Sequence, residues 1–395
     1  MHLGFLAIEP PFAPERGGGI AAYLRAVIPE YVRRGYPVTL IQNNPDNLPA
    51  PRRMEGVTVI SVSLPSLHWY LSKIPNLGAS LALLWREIEW SWVFKQYIAQ
   101  LASPPEIVES SETGGLFLGK ASHFRWIARL HGSAYFFQQS MGGAINLGAR
   151  WAHNLQRQSW RQASMVTTPS RTHAKQVLQS APELGGHIRV IPNPIQSDLL
   201  QAALATSAQA RDSNLVLFVG RLAPVKGVIT LLEAIRRVLS TNSQVNFILA
   251  GEWQMPNSPS DYGLGKSAQV QWLGHVSWLD LVDWYRRAMM VVIPSFYETF
   301  GLSAIEAAAF GKPVIATGAG GLPEVVEDGV TGILVPAADP YALAEGIIQL
   351  LRDPELCWRM GQAGREKVLA SFTVERVVTE MLDLYTTVDA NEKPP

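Results

Sequence analysis

Short, unbroken apolar runs alternate along this chain with segments in which apolar residues recur every three or four positions. Residues 3–8 form the first run and predict a strand. Residues 20–34 follow with Ile20, Leu24, Val27, Ile28 and Tyr31 at helical spacing, Gly35 as a stop and Pro29 predicting a kink. Runs at 38–41, 57–62, 107–108, 126–130 and 165–168 predict the remaining strands of a first series. A second series opens after Pro192 and Pro194, with runs at 215–219, 247–250, 270–273, 290–293, 314–316 and 333–335. Continuous apolar strands with helices between them imply parallel sheets covered on both faces. Two series imply two doubly wound α/β domains, 1–194 and 195–372, with a hinge near 191–213. A last helical pattern, Val374, Val377, Val378, Met381, Leu384 and Tyr385, follows the completed second series. It predicts a helix over 373–390 that returns to pack on the first domain and stiffens the hinge.

Composition narrows the class. A chain of 395 residues with 47% hydrophobic and 17% charged residues is long enough for two or three cores and is not disordered. Its one cysteine, Cys357, supports neither an intrachain disulfide nor a cysteine-based zinc site. The early apolar run is short and has no basic flank, so it does not read as a signal peptide. No stretch approaches about 18 consecutive apolar residues, the length that reads as a membrane span. The expectation is a soluble, cytoplasmic protein.

Net charge is zero, but unevenly spread. Residues 1–190 hold 18 Lys and Arg against 11 Asp and Glu, a balance of +7, and the rest of the chain balances at −7. No acid lies between Glu112 and Glu183, whereas Arg150, Arg157 and Arg161 recur there at helical spacing, with Trp151 and Trp160 nearby. Segment 66–102 adds Trp69, Tyr70, Trp85, Trp90, Trp92, Phe94 and Tyr97. Its aromatics either pack as an ordinary helix pair or form a face for lipid or a greasy acceptor. The basic stretch is either a solvated surface or a field that attracts phosphate and anionic headgroups. The second alternative predicts reversible contact with an anionic membrane surface on its cytoplasmic face.

In open parallel sheets, ligands bind beyond the carboxyl ends of the strands. Those positions hold Gly17-Gly18-Gly19, His131-Gly132, Gly220-Arg221 with Lys226 and Gly227, Gly251-Glu252, Ser295 with Glu298, and Gly318-Ala319-Gly320-Gly321. Chemistry gathers at the same end of nearly every strand in both halves, which predicts a cleft lined from two sides. The glycine turn before the first helix suits an anion at a helix N-terminus, or is a plain tight turn. Arg221 and Lys226 can grip a diphosphate, or serve surface ion pairs. His131 is either a core histidine or a ligand-facing one. Glu298 precedes a helix starting near Gly301, and Glu306 lies on that helix among small apolar residues, where a carboxylate needs a partner such as a pair of ligand hydroxyls. There is no Asp-X-Asp to hold a metal.

Residues 294–311, PSFYETFGLSAIEAAAFG, resemble the E-x7-E motif of the family 4 retaining glycosyltransferases. The resemblance extends to the glycine turn at 17–19, His131-Gly132, IPNP at 191–194, GRLAPVKG at 220–227 and ATGAGGLPEVVEDGVTGILVP at 316–336, so it covers almost the whole chain. It implies the GT-B architecture, two facing Rossmann-like domains with a cleft between them: an N-terminal acceptor-binding domain and a C-terminal donor-binding domain. By resemblance, Arg221 and Lys226 hold the donor diphosphate, and Glu306 binds the ribose hydroxyls. Glu298, with the Phe300 and Gly301 amides, binds the transferred sugar, and the Leu302 amide meets a phosphate oxygen. His131 lies near the sugar's reactive end, and Gly18 and Gly19 match the family's paired glycines. After residue 250 the chain reads GEWQ where many members have another glycine.

The resemblance thus implies transfer of a hexose-type sugar, with retention and without a metal or cofactor, from a UDP- or GDP-sugar to a hydroxyl of a glycan, glycolipid or lipid-linked acceptor. Nucleic acid is not an expected partner. A sugar-nucleotide epimerase, a phosphorylase or a non-catalytic two-lobed binding protein on the same frame are the alternatives.

Overall fold

The computed structural model describes residues 1–12, 18–43, 52–54, 56–62, 67–74, 78–118, 124–206, 214–263 and 267–391. The chain divides into two compact units, residues 1–194 with 374–395, and residues 195–373. Gly17 and residues 207–213 of the expected hinge lie outside the described residues.

In the first unit the apolar runs become the central strands. They are β1 (Leu3–Ala7), β2 (Val38–Asn43), β4 (Val57–Val62), β5 (Ile107–Ser111), β6 (Arg125–Arg129) and β7 (Met165–Thr168), joined by two short edge strands, β3 (Arg52–Met54) and β8 (Ile188–Val190). The sheet order is β3-β4-β2-β1-β5-β6-β7-β8, parallel except for β3. Without that edge, the chain order of the parallel strands reads third, second, first and then outward from the fourth. This is the doubly wound arrangement, which reverses direction between β1 and β5.

Helix α1 (Gly19–Arg33) follows β1 and runs unbroken through Pro29, whose missing N–H removes one bond of its ladder. Among the described residues, five more helices precede β8: α2 (Leu67–Ser72), α3 (Gly78–Ala99), α4 (Ala134–Ser140), α5 (Leu147–Trp160) and α6 (Arg171–Ser180). The aromatics of 66–102 divide between the two sequence readings. Trp90 and Phe94 are buried, whereas Tyr70, Trp85, Trp92 and Tyr97 are exposed.

Among the described residues, seven helices belong to the second unit: α7 (Ser197–Leu204), α8 (Val228–Thr241), α9 (Trp278–Arg287), α10 (Leu302–Ala309), α11 (Leu322–Val325), α12 (Pro340–Arg352) and α13 (Pro354–Ser371). The last helix, α14 (Val374–Asn391), packs in the first unit, against α1. All six residues of its apolar pattern are buried there. Tyr385 stacks on Tyr31 and donates a 2.8 Å hydrogen bond to the buried Glu109. The Arg34 guanidinium reaches the Glu375 carbonyl at 2.7 Å. Arg129, fully buried at the end of β6, holds the departing chain by donating to the Ile191 carbonyl and to Asn193 Oδ1 at 2.8 Å. Its guanidinium also lies 4.1 Å from the centre of the Tyr23 ring.

Among its described residues the second unit has six parallel strands: β9 (Leu215–Val219), β10 (Asn246–Ala250), β11 (Val270–Gly274), β12 (Met290–Ile293), β13 (Val314–Thr317) and β14 (Gly332–Val335). Their order, β11-β10-β9-β12-β13-β14, repeats the doubly wound pattern, reversing between β9 and β12. Alternate residues feed two cores. Val216, Phe218, Phe247 and Leu249 pack under α8 and α12, and Leu215, Leu217, Ile248, Val291 and Ile293 pack under α9 and α10. Cys357 is buried in the first of these cores and its thiol faces the Met289 carbonyl.

Candidate functional site

The carboxyl ends of β9, β10, β12 and β13 are locked together by glycines. A Cβ on Gly227, which has φ +69°, would meet the Pro294 carbonyl oxygen at 1.9 Å. One on Gly320 would meet the Glu298 carbonyl oxygen at 1.8 Å. Only glycine lets these turns approach each other so closely. The Gly321 amide donates to the same Glu298 carbonyl at 2.8 Å, and the Phe296 amide donates to the Val225 carbonyl at 2.8 Å. Glu298 is therefore held by its backbone from both neighbouring turns, at the point where the strand order reverses.

Its side chain meets Lys226. The ammonium and Glu298 Oε1 form an ion pair, and Ser295 Oγ donates to the same oxygen at 3.0 Å. Glu298 Oε2 has no donor among the described residues. The sequence resemblance assigns Lys226 to a diphosphate and Glu298 to sugar hydroxyls. The structure brings them into direct contact, so a ligand engaging either meets an ion pair and not a lone charge. An ammonium has three protons, and only one is committed to Glu298.

Glu306 sits one turn inside α10. Tyr285 donates a 2.8 Å hydrogen bond to its Oε2. Burial pushes the carboxyl up to about 7, against the pull of that bond. The partner that this half-buried carboxylate requires is thus a tyrosine hydroxyl for one oxygen, and Oε1 accepts nothing from the described residues. Between the two carboxylates lies the start of α10. Its N-cap is Gly301, at φ +110°, and no side chain caps the helix. The first amides of a helix have no intrahelical acceptor, and the helix dipole favours negative charge there. Leu302 is the first residue of the helix, whereas the Phe300 ring is core, packed edge-to-face on Phe372.

Arg221 is exposed and reaches Gln254 Oε1 at 3.4 Å, while Gln254 Nε2 donates to Glu252 at 3.0 Å. The GEWQ departure therefore supplies a polar chain that orients the arginine. A concavity lined by Asn214, Asn246, Gln269, Trp284 and Arg287 lies at the opposite, amino ends of these strands and includes none of the residues above.

In the first unit, Gly18 caps α1 and its amide donates to Glu9 Oε2 at 2.6 Å. The anion expected at this helix N-terminus is here a carboxylate of the chain itself. Gly19 is the first residue of α1. His131 follows β6, and its amide donates to Glu112 Oε2 at 2.9 Å. Burial, with Arg129 and His173 nearby, holds the imidazole well below its usual range, so it is neutral at pH 7. Glu112 is buried, and burial raises its carboxyl against the His131 amide bond that lowers it. Glu87 lies close by. Thr113 and Gln156 both donate to its Oε1, at 3.0 and 2.9 Å, and burial pushes its carboxyl up to about 7.

The basic stretch is reshaped by the structure. Arg157 and Arg161 both pair with Glu183, at 3.2 and 2.7 Å, and Trp160 is buried. The acid that satisfies these arginines lies just past the acid-free stretch and not in the second half of the chain.

Sequence reasoning located Ser295 beside Glu298 but missed Glu9, Glu112, Tyr285 and Gln254 as partners of the site residues. Glu112 stands immediately beyond β5 and was legible by the rule that located His131. Tyr285 and Gln254 act through contacts distant in sequence. Among the described residues, no group of three His, Cys, Asp or Glu side chains is arranged to hold a metal ion.

Comparison with known proteins places this geometry. Residues 203–367 match the family described as glycosyl transferases group 1, and residues 18–194 match the glycosyl transferase 4-like domain. A D-inositol 3-phosphate glycosyltransferase from Corynebacterium glutamicum is 37% identical over 188 residues. That match covers 46% of this chain and spans less than half, 45%, of the relative. Among solved structures, sucrose-phosphate synthase from Thermosynechococcus elongatus superposes with a TM-score of 0.79 at 25% identity, covering 99% of this chain and 100% of that one. The catalytic domain of starch synthase IV from Arabidopsis thaliana, bound to ADP and acarbose, superposes with a TM-score of 0.75 at 18% identity over 99% and 100% of the two chains. Both units are Rossmann-like, the architecture is GT-B, and the chain belongs to the family 4 glycosyltransferases.

Proposed function

We propose that this glycosyltransferase moves a hexose-type sugar from a uridine or guanosine diphosphate sugar to a hydroxyl of a glycan, glycolipid or lipid-linked acceptor, with retention and without a metal. The observation that carries this reading is the uncapped start of α10 between two carboxylates, each with one oxygen engaged by protein and one open. Glu306 Oε1 suits the ribose hydroxyls, and Glu298 Oε2 suits the hydroxyls of the sugar. Arg221, the uncommitted protons of Lys226 and the Leu302 amide suit the diphosphate. In the first unit, Gly18, Gly19 and His131 contribute to the donor and acceptor sites, and the −7 and +7 halves are donor- and acceptor-binding respectively. The starch synthase relative holds ADP, a nucleoside diphosphate of the same build.

In the proposed step the bond from the anomeric carbon to the diphosphate oxygen breaks and the bond to the acceptor oxygen forms on the same face. The acceptor's proton passes to the departing phosphate oxygen. The cations and the helix start stabilise the charge that develops there. Glu298, engaged with Lys226, acts as a hydroxyl acceptor and not as a nucleophile. The reading includes reversible contact with an anionic membrane surface on the cytoplasmic side, through the acid-free face of the first unit.

Incubation with a panel of nucleotide sugars and candidate acceptors tests the reading. Transfer that survives excess chelator, with an anomeric proton signal of unchanged configuration, supports it. Loss of activity in chelator with recovery on manganese contradicts the metal-free step, and an inverted product contradicts retention. Turnover of the sugar nucleotide without acceptor indicates an epimerase, and a requirement for phosphate indicates a phosphorylase.

A further inference from the structure

Helix α3 is apolar on every side through its first half, yet it is not enclosed. Leu81, Ala82, Leu83 and Leu84 are all half-exposed, Trp85 is exposed, and Trp92, two turns further along the same face, is 55% exposed. A helix apolar all round is ordinarily buried in a core or a membrane. Neighbouring elements continue the pattern. Helix α5 packs on α3, with Gly148 against the Ser80 backbone, and it exposes Leu147 (51%) and Trp151 (41%) one turn apart. Helix α2, also packed on α3, exposes Tyr70, and Ile74 follows it.

The exposed charge of these elements has one sign, because the two acids of α3, Glu87 and Glu89, are buried. Residues 56–86 and 113–182 contain no Asp or Glu. These segments supply α2, the first half of α3, α4 and α5. Their cations include Lys73 and Arg150, whereas the charge of Arg86 acts on the buried Glu87 and Glu112. Arg150 is exposed and has no ion-pair partner among the described residues. Arg157 and Arg161, at the far end of α5, share the single carboxylate of Glu183, which offsets one of their two charges. Tryptophan and tyrosine, half apolar and half polar, prefer the interface of a bilayer. A second copy of the chain is disfavoured, because apposing two such faces brings cations together without an acid to meet them.

We propose that α2, the face of α3 that runs from Leu81 to Trp92 and the exposed face of α5 form a docking surface for an anionic lipid bilayer. Trp85, Trp92, Leu147 and Trp151 enter the interface, and Arg150 meets the headgroups. Apolar insertion carries more of the contact than the paired arginines do, so salt weakens it without abolishing it. This refines the membrane contact included in the functional reading and does not rest on sugar transfer.

Flotation of the full chain with phosphatidylcholine vesicles, with and without phosphatidylglycerol, tests the proposal. The protein is expected to float with the anionic vesicles and to be partly retained at high salt. The triple variant Trp92→Ser, Leu147→Ser and Trp151→Ser should lose about tenfold or more in bound fraction, given the apolar area it removes. The double variant Leu279→Ser and Trp358→Ser, at exposed positions of the second unit, should bind as the parent does. A cooperative thermal transition in each variant shows that it is folded. Absence of flotation at low salt overturns the proposal, as does flotation of the triple variant equal to the parent. A dimer that the triple variant abolishes, in place of flotation, overturns it too. Flotation without any nucleotide binding leaves this surface standing and removes the transfer reading alone.

Discussion

Lys226, in the turn after β9, and Glu298, in the turn after β12, are joined side chain to side chain across the point where the strand order of the second unit reverses. The pair is partly shielded from solvent, and the Glu298 backbone is fixed by the Gly320–Gly321 turn. A cation and an acid that would each serve the donor are thereby set at one place before any ligand arrives, which is how preorganised charge stabilises a leaving group.

The first prediction separates their roles. Lys226→Ala removes a charge-assisted contact worth about 1.5–3 kcal/mol, so affinity for a nucleoside diphosphate should fall about tenfold or more. Glu298→Ala should chiefly lower turnover, with a smaller loss of nucleotide affinity. Calorimetric titration with initial rates checks both, and equal, negligible effects on both quantities would take the pair out of the site.

Glu306 provides a pH signature. Its carboxyl titrates near 7 in the folded chain, so it is mostly protonated at pH 6 and mostly ionised at pH 8. Hydroxyl donors prefer the ionised form. Nucleotide affinity should therefore rise between those values in the parent, and Glu306→Gln should flatten that component of the rise. Tyr285→Phe removes the bond that holds the carboxyl down, and should move the midpoint above 7. A midpoint unmoved by Tyr285→Phe would detach the tyrosine from the function of Glu306.

Glu112 acts on His131 through its backbone. Glu112→Ala leaves the His131 amide without its acceptor and should lower kcat with little change in the KM for the donor. Glu112→Gln keeps an acceptor oxygen and should restore most of the rate. If the glutamine variant is as impaired as the alanine one, the charge of Glu112 matters and not its hold on the histidine turn.

Glu87 makes a stability prediction with a definite sign. Its pKa rises from 4.5 unfolded to about 7 folded, so the folded state binds the proton more tightly. The stability this confers is fully present below pH 4.5 and declines as pH rises through 7. Glu87→Gln keeps an acceptor for Thr113 and Gln156 and removes the buried charge. Above pH 7 the variant should be the more stable, by up to about 3 kcal/mol, with the difference shrinking toward pH 4.5. Thermal unfolding across that range measures it, and a pH-independent difference would contradict the buried-carboxylate account.

Much of this architecture was legible because burial on both faces forces continuous apolar runs, and those runs became the central strands. The edges were not. Strand β8 is Ile188-Arg189-Val190, with its last two residues exposed, and β3 is a three-residue antiparallel addition with no apolar run. Pro29 does not end α1, which continues through it to Arg33 with buried residues on both sides. Among the site residues, the glycines and acids at strand ends could be located, because the topology dictates where a ligand can approach. What pairs with what could not. The Lys226–Glu298 contact spans 72 residues and the bond between Tyr285 and Glu306 spans 21, and neither has a local pattern to announce it. The arginines of α5 show the same gap in reverse, since Glu183 sits beyond the stretch that made them look uncompensated.

The central claim is that the second unit binds a nucleoside diphosphate at the start of α10. Calorimetric titration of the full chain with UDP, GDP and ADP, repeated on Glu306→Ala, tests it most directly. The account predicts saturable binding of at least one of the three and a loss of about tenfold or more in Glu306→Ala, as expected when a charged hydrogen-bond partner is removed. Binding of none of them, or binding unaffected by the substitution, would contradict it.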